Sequence, residues 1–264
     1  MELYKFSPGT TPLLVSVPHC GTHVPDEIAG RFTPAARLLP DTDWHVDRLY
    51  DFAAELGAGV LAATHSRYVI DLNRPPDDRP LYPGAAGTGL CPATTFDGEP
   101  LYEAGAGPDE AEKARRLETY WRPYHDRLAA ELARLKAEHG VALLYEAHSI
   151  RSEVPRLFDG RLADLNLGSA DGASLDAGLA GRLETVCAAA HGFTWVHNGR
   201  FKGGYTTRAY GDPANGVHAV QLEQSQITYM VEQPPFDYLP ERAEQIRPTL
   251  RALLAEMLAW ATAQ

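Results

Sequence analysis

The feature that most limits what this chain can fold into is a series of short apolar runs, several ending abruptly in a polar cluster. Leu13 to Val17 reads LLVSV and stops at Pro18-His19. Gly59 to Thr64 (GVLAAT), Tyr68 to Leu72 (YVIDL), Val141 to Tyr145 (VALLY), Phe193 to Val196 (FTWV) and His218 to Leu222 (HAVQL) are alike in character. Such runs have the length of strands rather than helices. Apolar runs without alternation suit strands covered on both faces, the habit of parallel sheets. Helical spacing lies between them. Asp43 to Leu56 carries Val46, Leu49, Tyr50, Ala53 and Leu56 on one face, after the capping residues Pro40 to Asp43. Asp109 to His139 does the same with Leu117, Trp121, Tyr124, Leu128, Leu132 and Leu135, and Pro123 should kink or split it. Leu175 to Ala190 and a last stretch from about Pro248 complete the helices. Strands alternating with helices predict an α/β fold of three αβα layers around a central mixed, largely parallel sheet. No repeat or linker interrupts residues 1–264, which are expected to form one domain.

Composition narrows the partners. The formal net charge is −11, which argues against nucleic acid or an anionic membrane, since both call for a basic surface. A small acidic substrate stays open, because a local arginine cluster can act against the overall charge. The three cysteines, Cys20, Cys91 and Cys187, form no disulfide framework or metal knuckle. No signal-peptide pattern or membrane-length apolar stretch is seen, so the cytoplasm is the expected location. Asn73 to Pro108 is rich in Pro and Gly, and reads equally as a site lid or a packed surface loop.

Ligands of open α/β sheets gather beyond the carboxyl ends of the strands. Three polar clusters stand where apolar runs stop: Pro18 to His23, Glu146-Ala147-His148-Ser149 and Glu223-Gln224-Ser225. A fourth, Asp41 to Asp47, opens a helix. Together they offer His, His, Asp and Glu, enough for three zinc ligands and a base. On an ideal helix Asp43 and Asp47 share a face and His45 points away, so either aspartate could meet the site. Arginine grips carboxylates in bidentate fashion, and Arg67, Arg74, Arg151 and Arg208 lie near the expected strand ends. Arg208 follows the glycine-containing stretch Lys202 to Thr207.

At these residues the sequence resembles the N-formylglutamate amidohydrolase (deformylase) family, over nearly its whole length. The likeness rests on Val17-Pro18-His19 with Gly21, on Asp41-Thr42-Asp43-Trp44-His45-Val46-Asp47, and on Ser66 through Arg74. It continues through Ala147 to Ser152, Phe201 to Arg208 and Gln221-Leu222-Glu223. The resemblance implies a phosphorylase/hydrolase-like fold related to zinc carboxypeptidases. It also implies hydrolysis of N-formyl-L-glutamate to formate and L-glutamate, closing one route of histidine degradation. The metal site carried over would be His19, Asp43 and His148 holding zinc, with Glu223 as base. In the carboxypeptidase pattern the acid follows the first His by three residues. Thr22 stands there, which leaves Asp43, then Asp47. Relatives often have Asp two residues before the second His; Glu146 stands there, as support for His148 or as a competing base.

The expected reaction is therefore zinc-dependent hydrolysis of a linear amide, with Arg67, Arg74, Arg151 and Arg208 as the pool that binds two carboxylates. The alternatives are a zinc deacylase of another N-acyl amino acid, an amidase of peptidoglycan fragments, or a non-catalytic binder of small acidic ligands.

Overall fold

The computed structural model describes residues 1–80 and 87–263. Seven strands form one sheet: β1 (Tyr4–Ser7), β2 (Leu13–Val17), β3 (Gly59–Ala63), β4 (Ala142–Ile150), β5 (Leu165–Gly168), β6 (Trp195–His197) and β7 (Val217–Ser225), in the spatial order β1-β3-β2-β4-β7-β5-β6. β3, β2, β4 and β7 run parallel. β1 joins β3, and β5 joins β7, in antiparallel pairs, while β5 and β6 are parallel. The expected α/β class with a largely parallel sheet is what the chain adopts.

The helices are α1 (Asp26–Ala29), α2 (Val46–Leu49), α3 (Glu110–Arg116), α4 (Arg122–His139), α5 (Ala177–Ala189), α6 (Tyr205–Tyr210) and α7 (Pro240–Thr262). Alternation along the central strands sends side chains to opposite faces. Leu13, Val15 and Val17 of β2, with Leu143, Tyr145 and Ala147 of β4, pack on α5 and α7. Leu14, Ala142, Leu144 and Ala219 pack instead on Leu128, Leu132 and Leu135 of α4. The core is thus two apolar layers separated by the sheet, and β2 is buried at every residue.

Four readings of the sequence change. Tyr68 to Leu72 is a buried turn, not a strand. Its apolar residues split between two packing clusters, and Val69 N–H bonds back to Ser66 O at 2.9 Å. β-type composition reports fit to a packed surface rather than a backbone state. The stretch from Asp43 is not one helix either. His45 at φ 62° breaks it, α2 lasts one turn, and a 3-10 segment follows at Asp51–Leu56. Asp43 is therefore buried while Asp47 is exposed, so the shared-face argument fails and Asp47 is not drawn to the site. α7 begins at Pro240, with Pro248 inside it. Pro248 is exposed, so its missing N–H leaves the orphaned carbonyl on the solvent side. Finally, β4 and β7 run past their apolar runs to Ile150 and Ser225, so Glu146, His148 and Glu223 sit on strands, not beyond them. The anticipated break near Pro123 is present as a π-helical turn at Leu117–Trp121 between α3 and α4. No described helix is long and apolar enough to cross a membrane.

Candidate metal and active site

Sheet register brings the chemistry together. Glu146 pairs with Gln221 and His148 with Glu223 on adjacent parallel strands, so these four side chains leave one face at the carboxyl end of the sheet. His19 follows β2 directly. Asp43 is brought beneath it by its own backbone, since Asp43 N–H donates to His19 O at 3.1 Å.

Three buried side chains, His19, Asp43 and His148, offer ligand atoms that all lie within 4.8 Å of one another. Asp43 Oδ2 is 3.0 Å from His148 Nδ1 and 3.7 Å from His19 Nδ1. Two ligands of a tetrahedral zinc are roughly 3.4 Å apart, so the donors bracket that spacing. His19 Nδ1 is buried with no hydrogen-bond partner. Its other nitrogen, Nε2, lies 2.8 Å from Asp71 Oδ1. An ionised carboxylate only accepts, so Nε2 carries a proton toward Asp71, and Nδ1 is left on the side of Asp43. Two imidazoles and one carboxylate, with one orphaned donor atom, fit a divalent cation of the zinc type.

Charge is balanced around this cluster. Arg67 Nη2 donates to Asp71 Oδ2 at 2.7 Å, and Nη1 is 3.5 Å from Asp43 Oδ1. Burial would raise the Asp71 carboxyl, but Arg67, His19 and Arg74 hold it well below the ordinary range. Burial would also raise Asp43, yet the hydrogen bond to His148 and the nearby His19 ring keep it low. For His148, burial favours the neutral ring, but Asp43 and Glu146 raise its pKa. The Glu223 carboxyl is pushed up to about 7, chiefly by burial, with His148 opposing and Asp43 adding to the rise.

Two amides tie the cluster to α6. Thr206 N–H donates to Asn73 Oδ1 at 2.9 Å, which turns the Asn73 amide nitrogen toward His148 Nε2 at 3.0 Å. Gly204 N–H donates to Gln221 Oε1 at 2.7 Å, which leaves Gln221 Nε2 to donate to Glu223 Oε2 at 3.2 Å. A Cβ on Gly204 would lie 2.2 Å from Asn73 Nδ2, so only glycine permits this approach.

A cavity of about 380 Å³ opens on His19, His148 and Glu223, within the range of small-molecule sites.

A family model for N-formylglutamate amidohydrolase matches residues 11–230. The chain belongs to the N-formylglutamate amidohydrolase family. It is 58% identical to N-formylglutamate deformylase of Pseudomonas aeruginosa and 55% identical to that of Pseudomonas putida, in each case over 98% of this chain and 97% of the relative. The crystal structure of N-formylglutamate amidohydrolase from Ralstonia eutropha JMP134 superposes with a TM-score of 0.82 at 28% identity, covering 100% of this chain and 98% of that one. A gene product of Agrobacterium tumefaciens shares the fold at a TM-score of 0.74 and 18% identity, over 98% of this chain and 96% of its own.

In this family member the arginines anticipated from sequence divide. Arg67 and Arg74 line the cavity. Arg151 and Arg208 do not: Arg151 pairs with Asp97 at 2.8 Å, and Arg208 Nε donates to Gly203 O at 3.0 Å. Glu146 is fully buried and off the cavity lining, with Oε2 3.4 Å from His148 Nε2, behind the imidazole rather than beside the substrate space. Sequence reasoning gave no role to Asp71, Asn73 or Gln221, although all three lie in the quoted motifs. It missed Arg79 and Arg200 on the cavity wall. Of the loop Asn73 to Pro108, residues 81–86 lie outside the described residues, while Arg74, Asp78, Thr88 and Phe96 line the cavity.

Proposed function

We propose that this chain hydrolyses N-formyl-L-glutamate to formate and L-glutamate, the closing step of one histidine-degradation route, with zinc held by His19, Asp43 and His148. The observation that carries the reading is the convergence of three buried donor atoms within 4.8 Å at a cavity that Glu223 also lines. Relatives named N-formylglutamate deformylase, alike over almost their full length, support the choice of substrate. A divalent cation in this setting polarises a carbonyl and makes a water more acidic.

The chain's own groups do the rest. Glu223 takes a proton from the attacking water and returns it to the departing amine nitrogen, a task suited to a carboxyl near neutral pKa. Gln221 holds Oε2 of that carboxylate, leaving Oε1 for the water. Arg67 offsets the charge of Asp43 and Asp71 at the acyl end. Arg74, anchored by bonds to Thr88 O at 2.9 Å and Asn73 O at 3.0 Å, supplies a fixed cation for the α-carboxylate.

The test is Glu223→Gln. The amide keeps shape and metal binding but cannot carry the proton, so kcat falls by roughly two to four orders of magnitude while zinc content stays at the parent level. Near-parent turnover removes Glu223 from this role.

A further inference from the structure

Part of the cavity wall comes from the segment after β6, where Arg200, Phe201 and Gly204 line the space also lined by His148 and Glu223. That segment is strapped to the end of β5 by a side-chain relay outside the metal cluster. Glu184 Oε1 on α5 lies 2.6 Å from His197 Nδ1, and His197 Nε2 lies 2.7 Å from Ser169 Oγ. Asn198 Nδ2 donates to the same Ser169 Oγ at 3.0 Å, and Asn198 Oδ1 accepts from Ser169 N–H at 2.9 Å. Acid, imidazole and hydroxyl stand in the order of a nucleophilic triad, but Ser169 is fully buried and no substrate reaches it. The relay is a tie.

The backbone around this tie is strained. Ala170, Asp171 and Asn198 have φ of 53°, 55° and 53°, three of the seven positive-φ non-glycine residues among those described. Such conformations persist where surroundings over-determine them, and they gather at functional sites. Ala170 N–H donates to Lys202 O at 2.6 Å. A Cβ on Gly168 would lie 2.4 Å from Gly203 N, so β5 and the segment touch through glycine. The structure holds this stretch of wall firmly, and the wall presents a guanidinium whose Nε is fixed by Leu157 O at 2.8 Å.

We propose that Arg200 recognises the distal carboxylate of the substrate and fixes its specificity, and that Glu184, His197, Ser169 and Asn198 are the positioning residues that set it. This rests on the proposed hydrolysis of an N-formyl dicarboxylic amino acid. Such a substrate presents two carboxylates several bonds apart, so it needs two cationic grips. Arg67 and Arg74 come from the segment that follows β3 and braces the metal cluster. Arg200 reaches the same cavity from beyond β6, at the other edge of the sheet. Its forked donors match a carboxylate where a single ammonium does not.

The experiment compares N-formylglutamate with N-formylglutamine, which has the same shape without the distal charge. In Arg200→Met, the ratio of kcat/KM for the acid over that for the amide falls by roughly one to two orders of magnitude, through KM rather than kcat. Glu184→Gln, a mild change at a half-exposed site, moves the ratio the same way by a smaller factor, and so does His197→Gln. An unaltered ratio in Arg200→Met overturns the assignment of Arg200. Unaltered KM in both relay variants overturns their positioning role. Failure of the parent chain to turn over either compound overturns the functional reading, and this inference with it.

Discussion

His19 shows how much one neighbouring carboxylate decides. Asp71 engages Nε2 and so leaves Nδ1 on the side of Asp43, as the proposed ligand atom. Asp71→Asn can present either an amide N–H or a carbonyl to that nitrogen, and the tautomer is no longer fixed. We expect zinc affinity to fall by about 10- to 100-fold, the usual scale for such supporting groups. A competition titration with a chromophoric chelator measures it, and an unchanged constant would count against the role given to Asp71. At this scale the sequence was only half legible. His19, Asp43, His148 and Glu223 could be singled out because polar clusters at the ends of apolar runs and at a helix start coincide with the motifs of the family resemblance, and the structure brings these four side chains to one place. Asp71, Asn73 and Gln221 could not be given roles, since their meaning lies in contacts spanning 52, 75 and 17 residues of chain. Arg151 and Arg208 were drawn in by nearness to strand ends, but neighbours in sequence point to different places once the backbone turns.

Elements were legible where the apolar pattern was long or doubly buried. β2, β3, α5 and the α3–α4 region fall where their periodicity puts them. β1 and β5, four residues each, are too short to stand out, and they are defined by the strands that they pair with. The turn at Tyr68–Leu72 was misread because burial, not extension, selected its apolar residues. α3 also carries a pH-sensitive tie. Glu112 accepts from Arg116 on Oε1 and from Arg31 on both carboxyl oxygens. Its carboxyl is pushed down to about 2, the Arg31 bond leading and burial opposing. A depressed carboxyl adds stability above the unfolded value, near 4.5, which is lost as pH falls through about 2. Glu112→Gln should therefore be less stable than the parent at pH 6 by on the order of 1 kcal/mol, after solvent screening. That gap should close toward pH 2. Urea midpoints at pH 6 and pH 3 read it, and a pH-independent gap would show that the loss is one of packing.

At the scale of the molecule, the proposed ligands come from three regions: the turn after β2, the loop before α2 and the middle of the sheet. A cation bound there favours the folded chain over the unfolded one by mass action, about 4 kcal/mol when free metal is a thousandfold above Kd. Dialysis against a chelator should lower the thermal midpoint by several degrees, and stoichiometric zinc should restore it. Identical melting curves before and after chelation would speak against a resident ion.

The ladder that sets His148 opposite Glu223 has one more consequence. Because both are rungs of the same rigid frame, their spacing does not depend on any loop. Loops around the rim can lengthen, shorten or change composition without disturbing the proposed hydrolytic pair. A slip of a single rung, by contrast, would turn one partner to the far side of the sheet and abolish the chemistry outright. Descendants of such a scaffold can drift readily in what they accept and hardly at all in how they cleave it.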